Sequence, residues 1–200
     1  MEAFDRDGDG KADLVACPPG WGCEITITHQ LEAFDLNDSI NAIKANYSAS
    51  MADAIAAHEQ GEPILVYTWT PNWTVDELKP GEDVVWIETP GVELPEDQMN
   101  LADAATVPGV EGCVADPCVM GWPANDIQPV ANTEFLNENP AVRTLLESAS
   151  IPLADIFAQN AAMNNGENSE EDIQSQAAAW IESNKADTDK WLADAQAAAN

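Results

Sequence analysis

The sequence predicts an α/β fold, and two observations predict it. Short β-rich apolar runs alternate with helix-period segments through residue 90, the pattern of a largely parallel sheet with crossover helices. Two aromatic-rich loops, Cys17-Pro18-Pro19-Gly20-Trp21-Gly22-Cys23 and Tyr67-Thr68-Trp69-Thr70-Pro71-Asn72-Trp73, each close such a run. In sheets of this kind ligands sit beyond the C-terminal ends of the strands, where both loops fall.

The elements are read in chain order. Asp5, Asp7 and Asp9 fill the first three ligand positions of a calcium loop, and Gly10 supplies its sharp turn. The twelfth position is Ala16 where a bidentate Glu belongs, so even with Asp13 the set is incomplete and no metal site is assigned. A strand at residues 12–16 delivers Cys17. Residues 24–34 alternate weakly and then read as helix. Asn41–Tyr47 reads as a short strand and Ser48–Gln60 as a helix with Met51, Ile55 and Ala56 on one face, Gly61 at C′ and Pro63 beyond. Pro63–Trp69 reads as a buried strand that ends on Trp69, and Trp73–Leu78 as a helical stretch. Asp83–Glu88 is expected as a strand with Val84 and Trp86 on one face, Val85 and Ile87 on the other.

Residues 1–95 are thus expected to form an α/β lobe, and residues 96–125, rich in Pro and Gly, a connection leaving it. Residues 126–200 are expected to be mostly helical. They begin with a short strand at Ile127–Ala131 and a helix started by Asn139-Pro140 with Val142, Leu145 and Leu146 at helical spacing. Helices at Leu153–Met163, Ser169–Asn184 and Asp187–Ala199 complete the chain. Trp180 and Trp191 lie on apolar stripes and read as core.

Charge excludes whole classes of partner. With 36 acidic and seven basic residues the chain carries a formal −29, which repels nucleic acid and anionic lipid. No apolar run approaches the ~20 residues of a spanning helix. The four cysteines form two close pairs, Cys17/Cys23 and Cys113/Cys118. Neither is C-x-x-C and no histidine is spaced for a zinc ribbon, so two local disulfides and an oxidising compartment are the better reading. The start, Met1-Glu2-Ala3-Phe4, is not a secretory signal, and the sequence is expected to lack its natural beginning.

Catalysis has little to work with. His29 reads as a surface or helix-end residue, and His58 suits the negative end of its helix. No Ser-His-Asp or Cys-His arrangement is supported, so neither an enzyme nor a cofactor is expected. Binding has the better argument. Aromatic faces attract quaternary ammonium groups, at roughly 0.5–2 kcal/mol per desolvated contact, so several rings are needed at once. Trp21 and Trp69 could be two walls, while the Gly22 and Cys23 amides, beside a helix start, could receive a carboxylate. A cation joined to a carboxylate is a betaine. The plainer alternative makes Trp21 a loop anchor and Trp69 a core residue.

The stretches Ala12-Asp13-Leu14, Cys17 through Glu24, His29-Gln30-Leu31, Tyr67-Thr68-Trp69-Thr70-Pro71 and Leu78 through Trp86 closely resemble the periplasmic glycine betaine/proline betaine-binding proteins. These are the substrate-binding subunits of ProU-type ABC importers. Similarity continues through Pro129-Val130-Ala131-Asn132, Asn139-Pro140-Ala141, Ala154-Asp155-Ile156 and Asp172-Ile173-Gln174. The resemblance implies the type II, periplasmic-binding-protein-like architecture of two lobes, here with one lobe nearly complete and the other partial. It implies a tryptophan box for the quaternary ammonium, matched by Trp21 and Trp69, carboxylate-binding amides matched by Gly22 and Cys23, and a local disulfide matched by Cys17–Cys23. Cys113–Cys118 is not a general feature of that family. A third tryptophan and an assisting histidine belong to the family's N-terminal region. No position here corresponds to them, so the chain is expected to cover roughly the C-terminal two-thirds of such a protein, with apolar surface left exposed in the partial lobe.

The implied partners are a betaine ligand and an importer's permease and ATPase, with the chain a periplasmic monomer that does not span the membrane. Two other readings are kept: a relative that binds choline or another quaternary ammonium compound, and an acidic, calcium-stabilised surface module without a small-molecule site.

Overall fold

The computed structural model describes residues 1–199, which divide into two compact units, residues 1–70 with 74–125 and residues 71–73 with 126–199. The first is built on a parallel sheet. Strand β1, Ala12–Val15, is its centre, flanked by β2, Ile40–Ile43, and β3, Leu65–Val66, in the order β2-β1-β3. Ala12 stands opposite Ile40 and Val15 opposite Ile43, while Leu14 and Val15 face Leu65 and Val66. Between the strands run helix α1, Gly22–Ala33, and helix α2, Tyr47–Glu59, the crossovers a parallel sheet needs. This half is α/β as expected.

Local chemistry explains the boundaries of α2. Asn46 is its N-cap, with a side-chain oxygen accepting the Ala49 N–H at 3.0 Å, and Gly61 follows its C-terminus at φ +81°. The strand expected over Asn41–Tyr47 is therefore shifted. It ends at Ile43, and Tyr47 opens the helix. Ala54, Ala57 and Met51 are buried on the inner face of α2, with Met51 fully so.

Two expected strands are shorter or absent. Only Leu65–Val66 of Pro63–Trp69 pairs with the sheet, because β3 is an edge with a neighbour on one side, and both residues are half-buried instead of buried. Asp83–Glu88 makes single bridges, Pro80 to Val84 and Trp86 to Cys113, and leaves Val85 and Ile87 exposed. A β-rich run without a continuous partner cannot form a ladder. Helix α3, Trp73–Leu78, precedes it.

Residues 96–125 pack back onto the first unit. A 3-10 stretch, Glu96–Ala105, leads into β4, Thr106–Val107, which pairs antiparallel with β5, Cys118–Val119. Cys113 is bonded to Cys118. The buried Gln30 of α1 donates from Nε2 to the Gly121 carbonyl at 2.6 Å, tying this segment to the first crossover helix. Nearby, Gly112 at φ +75° lies so close to the Pro80–Gly81 backbone that a Cβ there would stand 2.3 Å from the Gly81 nitrogen.

The second unit is helical. Helices α4, Thr133–Glu138, α5, Pro140–Ser148, α6, Leu153–Asn164, α7, Glu170–Ser183, and α8, Lys185–Ala198, follow in order, with α5 packed chiefly on α8. Ser169 and Asp172 form a reciprocal capping box at the start of α7. The strand expected at Ile127–Ala131 is absent. Val130 is 96 % exposed there, because no strand lies beside the run. Trp180 and Trp191 stack at 6.2 Å and 20° but are half-buried, and Trp180 Nε1 donates to Asp155 Oδ2 at 2.8 Å. They pair with each other and are not the deep core that the stripes suggested. Among the described residues from 126 onward, Thr188 and Ala195 are the buried ones, so this unit has little core of its own.

The Gly112 contact yields a direct test. Gly112→Ala adds a methyl against backbone as well as left-handed strain, and should cost on the order of 2–4 kcal/mol in urea unfolding. Gly109→Ala, at φ +69° but with open space around the added Cβ, should cost about 1–2 kcal/mol.

Candidate functional site

The site is built at the C-terminal end of β1. Ala16 and Cys17 are buried in a cluster with Ile27 and Leu31 of α1. Cys17 is bonded to Cys23, so the intervening loop is fastened to the core at one end and to the first turn of α1 at the other. Gly20 sits at φ +87°, where a side chain would be strained. Its N–H donates to Glu24 Oε2 at 2.8 Å, and the Trp21 N–H donates to the Pro18 carbonyl at 3.3 Å.

Trp21 is the N-cap of α1, with extended backbone and no side-chain cap. A Ser or Asp there would take a first-turn N–H with its own oxygen, but an indole has no acceptor to offer. The Gly22 and Cys23 N–H groups have no carbonyl one turn back, and among the described residues no acceptor takes either one. Glu24 N–H does have a partner, the Trp21 carbonyl at 3.0 Å. The open amides and the positive end of the helix together suit an anion.

Rings gather beside this helix start. Trp21, 43 % exposed, meets Trp69 edge-to-face at 6.0 Å and 70°, and meets Tyr47 at 5.7 Å. Tyr47 closes the triangle with Trp69 at 5.3 Å. Tyr67 touches Trp69 at 5.9 Å and Trp122 at 5.2 Å, so the cluster continues inward to the core. The Tyr47 hydroxyl donates to the Tyr67 carbonyl at 3.1 Å. With centroids 5.3 to 6.0 Å apart, the three rings form one continuous aromatic cluster. A single ring supplies ~2 kcal/mol at best, well short of the ~4 kcal/mol of a millimolar site, so the grouping matters more than any one member.

An open cleft of about 460 Å³ borders the cluster, lined by Pro18, Pro19, Trp21, Lys44, Asn46 and Tyr47 among others. Trp69 touches both Trp21 and Tyr47 but is not among the residues that line it. Glu24 carries the charge nearest the helix start. Its carboxyl is held below the ordinary value of 4.5, first by the Gly20 N–H and then by Lys44, whose Nζ lies 3.0 Å from Oε1.

Other sequence-stated candidates fall elsewhere. His29 lies within α1 and not at its end, with a partly exposed side chain 3.9 Å from Glu93, and His58 occupies the last turn of α2. Neither lines the cleft. Carboxylate oxygens of Asp5, Asp7 and Asp13 come within 4.8 Å of one another. They are engaged by the chain itself: Asp5 accepts the Gly8 and Gly10 N–H groups, Asp7 the Asp9 N–H and Asp13 the Arg6 N–H. The arrangement is a self-capped acidic turn, and Asp9 stands outside the group.

Sequence reasoning brought Trp21, Trp69, Gly22 and Cys23 forward, and missed Tyr47, Lys44 and Glu24. Asn46 was the available signal for Tyr47, since an N-cap there starts the helix one residue later. Lys44 left no local signal, because its partner is 20 residues away.

The two tyrosines report on the cluster. Burial raises the Tyr47 hydroxyl above its ordinary 10.0, and burial with the neighbouring Tyr47 pushes Tyr67 up to about 12. The neutral phenols are favoured in the folded chain, so their contribution to stability is full below pH 10.0 and is lost as pH rises through the folded values. Tyrosinate absorbance should stay flat through pH 10.0 in the folded chain and rise there once the chain is unfolded in urea. A folded chain in which either tyrosine titrates at 10.0 would show that ring to be solvated.

Comparison with known proteins adds an independent line. Residues 2–183 match the OpuAC family, described as the substrate binding domain of ABC-type glycine betaine transport system. The glycine betaine/proline betaine-binding periplasmic protein of Salmonella typhimurium is 44 % identical over 195 residues, 98 % of this chain and 56 % of that protein. The glycine betaine-binding periplasmic protein OusX of Dickeya dadantii is 42 % identical over 196 residues, and the Escherichia coli glycine betaine/proline betaine-binding periplasmic protein 43 % over 195, with the same shares. The chain therefore spans about half the length of these relatives, less than the two-thirds expected.

Proposed function

The chain belongs to the OpuAC family of substrate-binding domains of ABC-type glycine betaine transport systems, a non-catalytic family, and from that premise we propose that it captures a betaine for an ABC importer. Glycine betaine and proline betaine are the ligands in view, since the relatives are named for them. Trp21 offers the quaternary ammonium its ring at the cleft wall, backed by its contact with Trp69, and the Gly22 and Cys23 amides take the carboxylate. The observation that carries this reading is the edge-to-face meeting of Trp21 and Trp69 at 6.0 Å beside an uncapped helix start. A ligand with a soft cation and a carboxylate has complementary partners in both.

The proposal extends to architecture and setting. The type II two-lobe fold is the natural frame, with residues 1–95 as the lobe carrying the aromatic loops, 96–125 as the connection and 126–200 as part of the other lobe. The chain works in the periplasm as a monomer that delivers ligand to a permease and ATPase. Its own helices fit that setting, for among the described residues none is long and apolar enough to cross a membrane.

A choline-like cation is the second reading, favoured by one observation. Glu24 places a carboxylate in the first turn of α1, which, wherever its pairing with Lys44 at 3.0 Å opens, opposes a ligand anion and suits a ligand that carries none.

Calorimetry with glycine betaine and choline separates the two. Betaine should bind more tightly than choline, and Trp69→Ala should weaken betaine at least tenfold, the equivalent of about 1.4 kcal/mol. Equal betaine affinity in Trp69→Ala and the unsubstituted chain would remove the aromatic cluster from the site. Tighter choline than betaine would favour the second reading.

A further inference from the structure

We propose that Lys44 is the specificity-determining residue of this site: by neutralising Glu24 and fixing its pose, it lets the first turn of α1 accept a zwitterion instead of a bare cation. The inference rests on the betaine reading above and says which residue sets the ligand class.

The geometry is a three-point clamp. Lys44 lies just beyond the C-terminal end of β2 and lines the same cleft as Trp21 and Tyr47. Its Nζ reaches Glu24 Oε1 at 3.0 Å and Thr28 Oγ1 at 3.1 Å, two side chains one turn apart on α1. Glu24's other oxygen accepts the Gly20 N–H at 2.8 Å. Lys44 therefore acts on the aromatic loop through Glu24. It holds the carboxylate that holds Gly20, the residue before Trp21.

Charge gives the clamp its consequence. The chain has seven basic residues against 36 acidic ones, so a ligand carboxylate approaches a strongly anionic protein. Glu24 belongs to the same first turn as the Gly22 and Cys23 amides. Unpaired, it would cancel the attraction those amides and the helix end offer to an anion. Paired with Lys44, it leaves that end available. A cation without a carboxylate gains nothing from the pairing, because Lys44 removes a negative charge it could have used. The two ligand classes should thus respond to Lys44 in opposite directions.

The test is calorimetry with glycine betaine and choline on four chains: unsubstituted, Lys44→Met, Lys44→Arg, and Lys44→Met combined with Glu24→Gln. Lys44→Met should weaken betaine about fivefold or more and leave choline unchanged or tighter, so that the betaine-to-choline preference falls about tenfold. Lys44→Arg should keep the preference, since a guanidinium can pair with Glu24. Adding Glu24→Gln to Lys44→Met should restore it to within about threefold, because the amide oxygen can still accept the Gly20 N–H and no charge remains to neutralise. Equal weakening of both ligands by Lys44→Met would reduce Lys44 to a structural support and overturn the proposal. So would an unchanged preference in a chain that binds betaine, while leaving the betaine reading intact. No betaine heat in the unsubstituted chain would overturn that reading, and the role of Lys44 with it.

Discussion

The candidate site depends on the turn from β1 into α1 being held rigid. That turn puts an exposed indole at a helix N-cap, a position where polar residues usually stand because their side chains satisfy the first-turn amides. Three constraints hold it: the Cys17–Cys23 bond with Cys17 sealed in the core, the Gly20 N–H bond to Glu24, and the pairing of Glu24 with Lys44. Free of a side-chain cap, the helix start keeps donors available. A stabilising device is missing here, beside the aromatic cluster.

The rings extend the same logic. Tyr47 is buried at 5 % exposure and touches both Trp21 and Trp69. It serves as the fixed floor of the cluster, while Trp21 presents open surface to the cleft. The contacts run on through Tyr67 to Trp122, a residue of the segment that folds back over α1, where Gln30 fastens it. The aromatic site is thus supported from strand, helix and returning segment together. The family match over residues 2–183 takes in every residue of this cluster.

The two units differ in how they are stabilised. The first buries strand and helix faces around a parallel sheet, with its loops clamped by carboxylate–amide bonds and two disulfides. The second relies on helix caps, one tryptophan pair and the packing of α5 on α8, and leaves Phe135, Ile151, Leu153 and Leu192 exposed. Side-chain caps hold α4 and α7 there, and long-range burial is thin.

That contrast also separates what the sequence determined alone from what tertiary structure decided. Features set by neighbours in the chain were legible: Gly61 ending α2, Pro140 opening α5, the helix start at Ser169, and β1 with its crossover helix. Each depends on backbone groups within a turn or two, so the residues that satisfy them are adjacent in sequence. The strands expected at Asp83–Glu88 and Ile127–Ala131 failed because a strand exists only against a partner, and composition cannot say whether one lies alongside. Trp21, Gly22 and Cys23 could be singled out because the loop that carries them is local. Tyr47 on Trp69, and Lys44 on Glu24, could not. Those contacts join segments 20 or more residues apart, brought together at the strand ends only after the parallel sheet has formed.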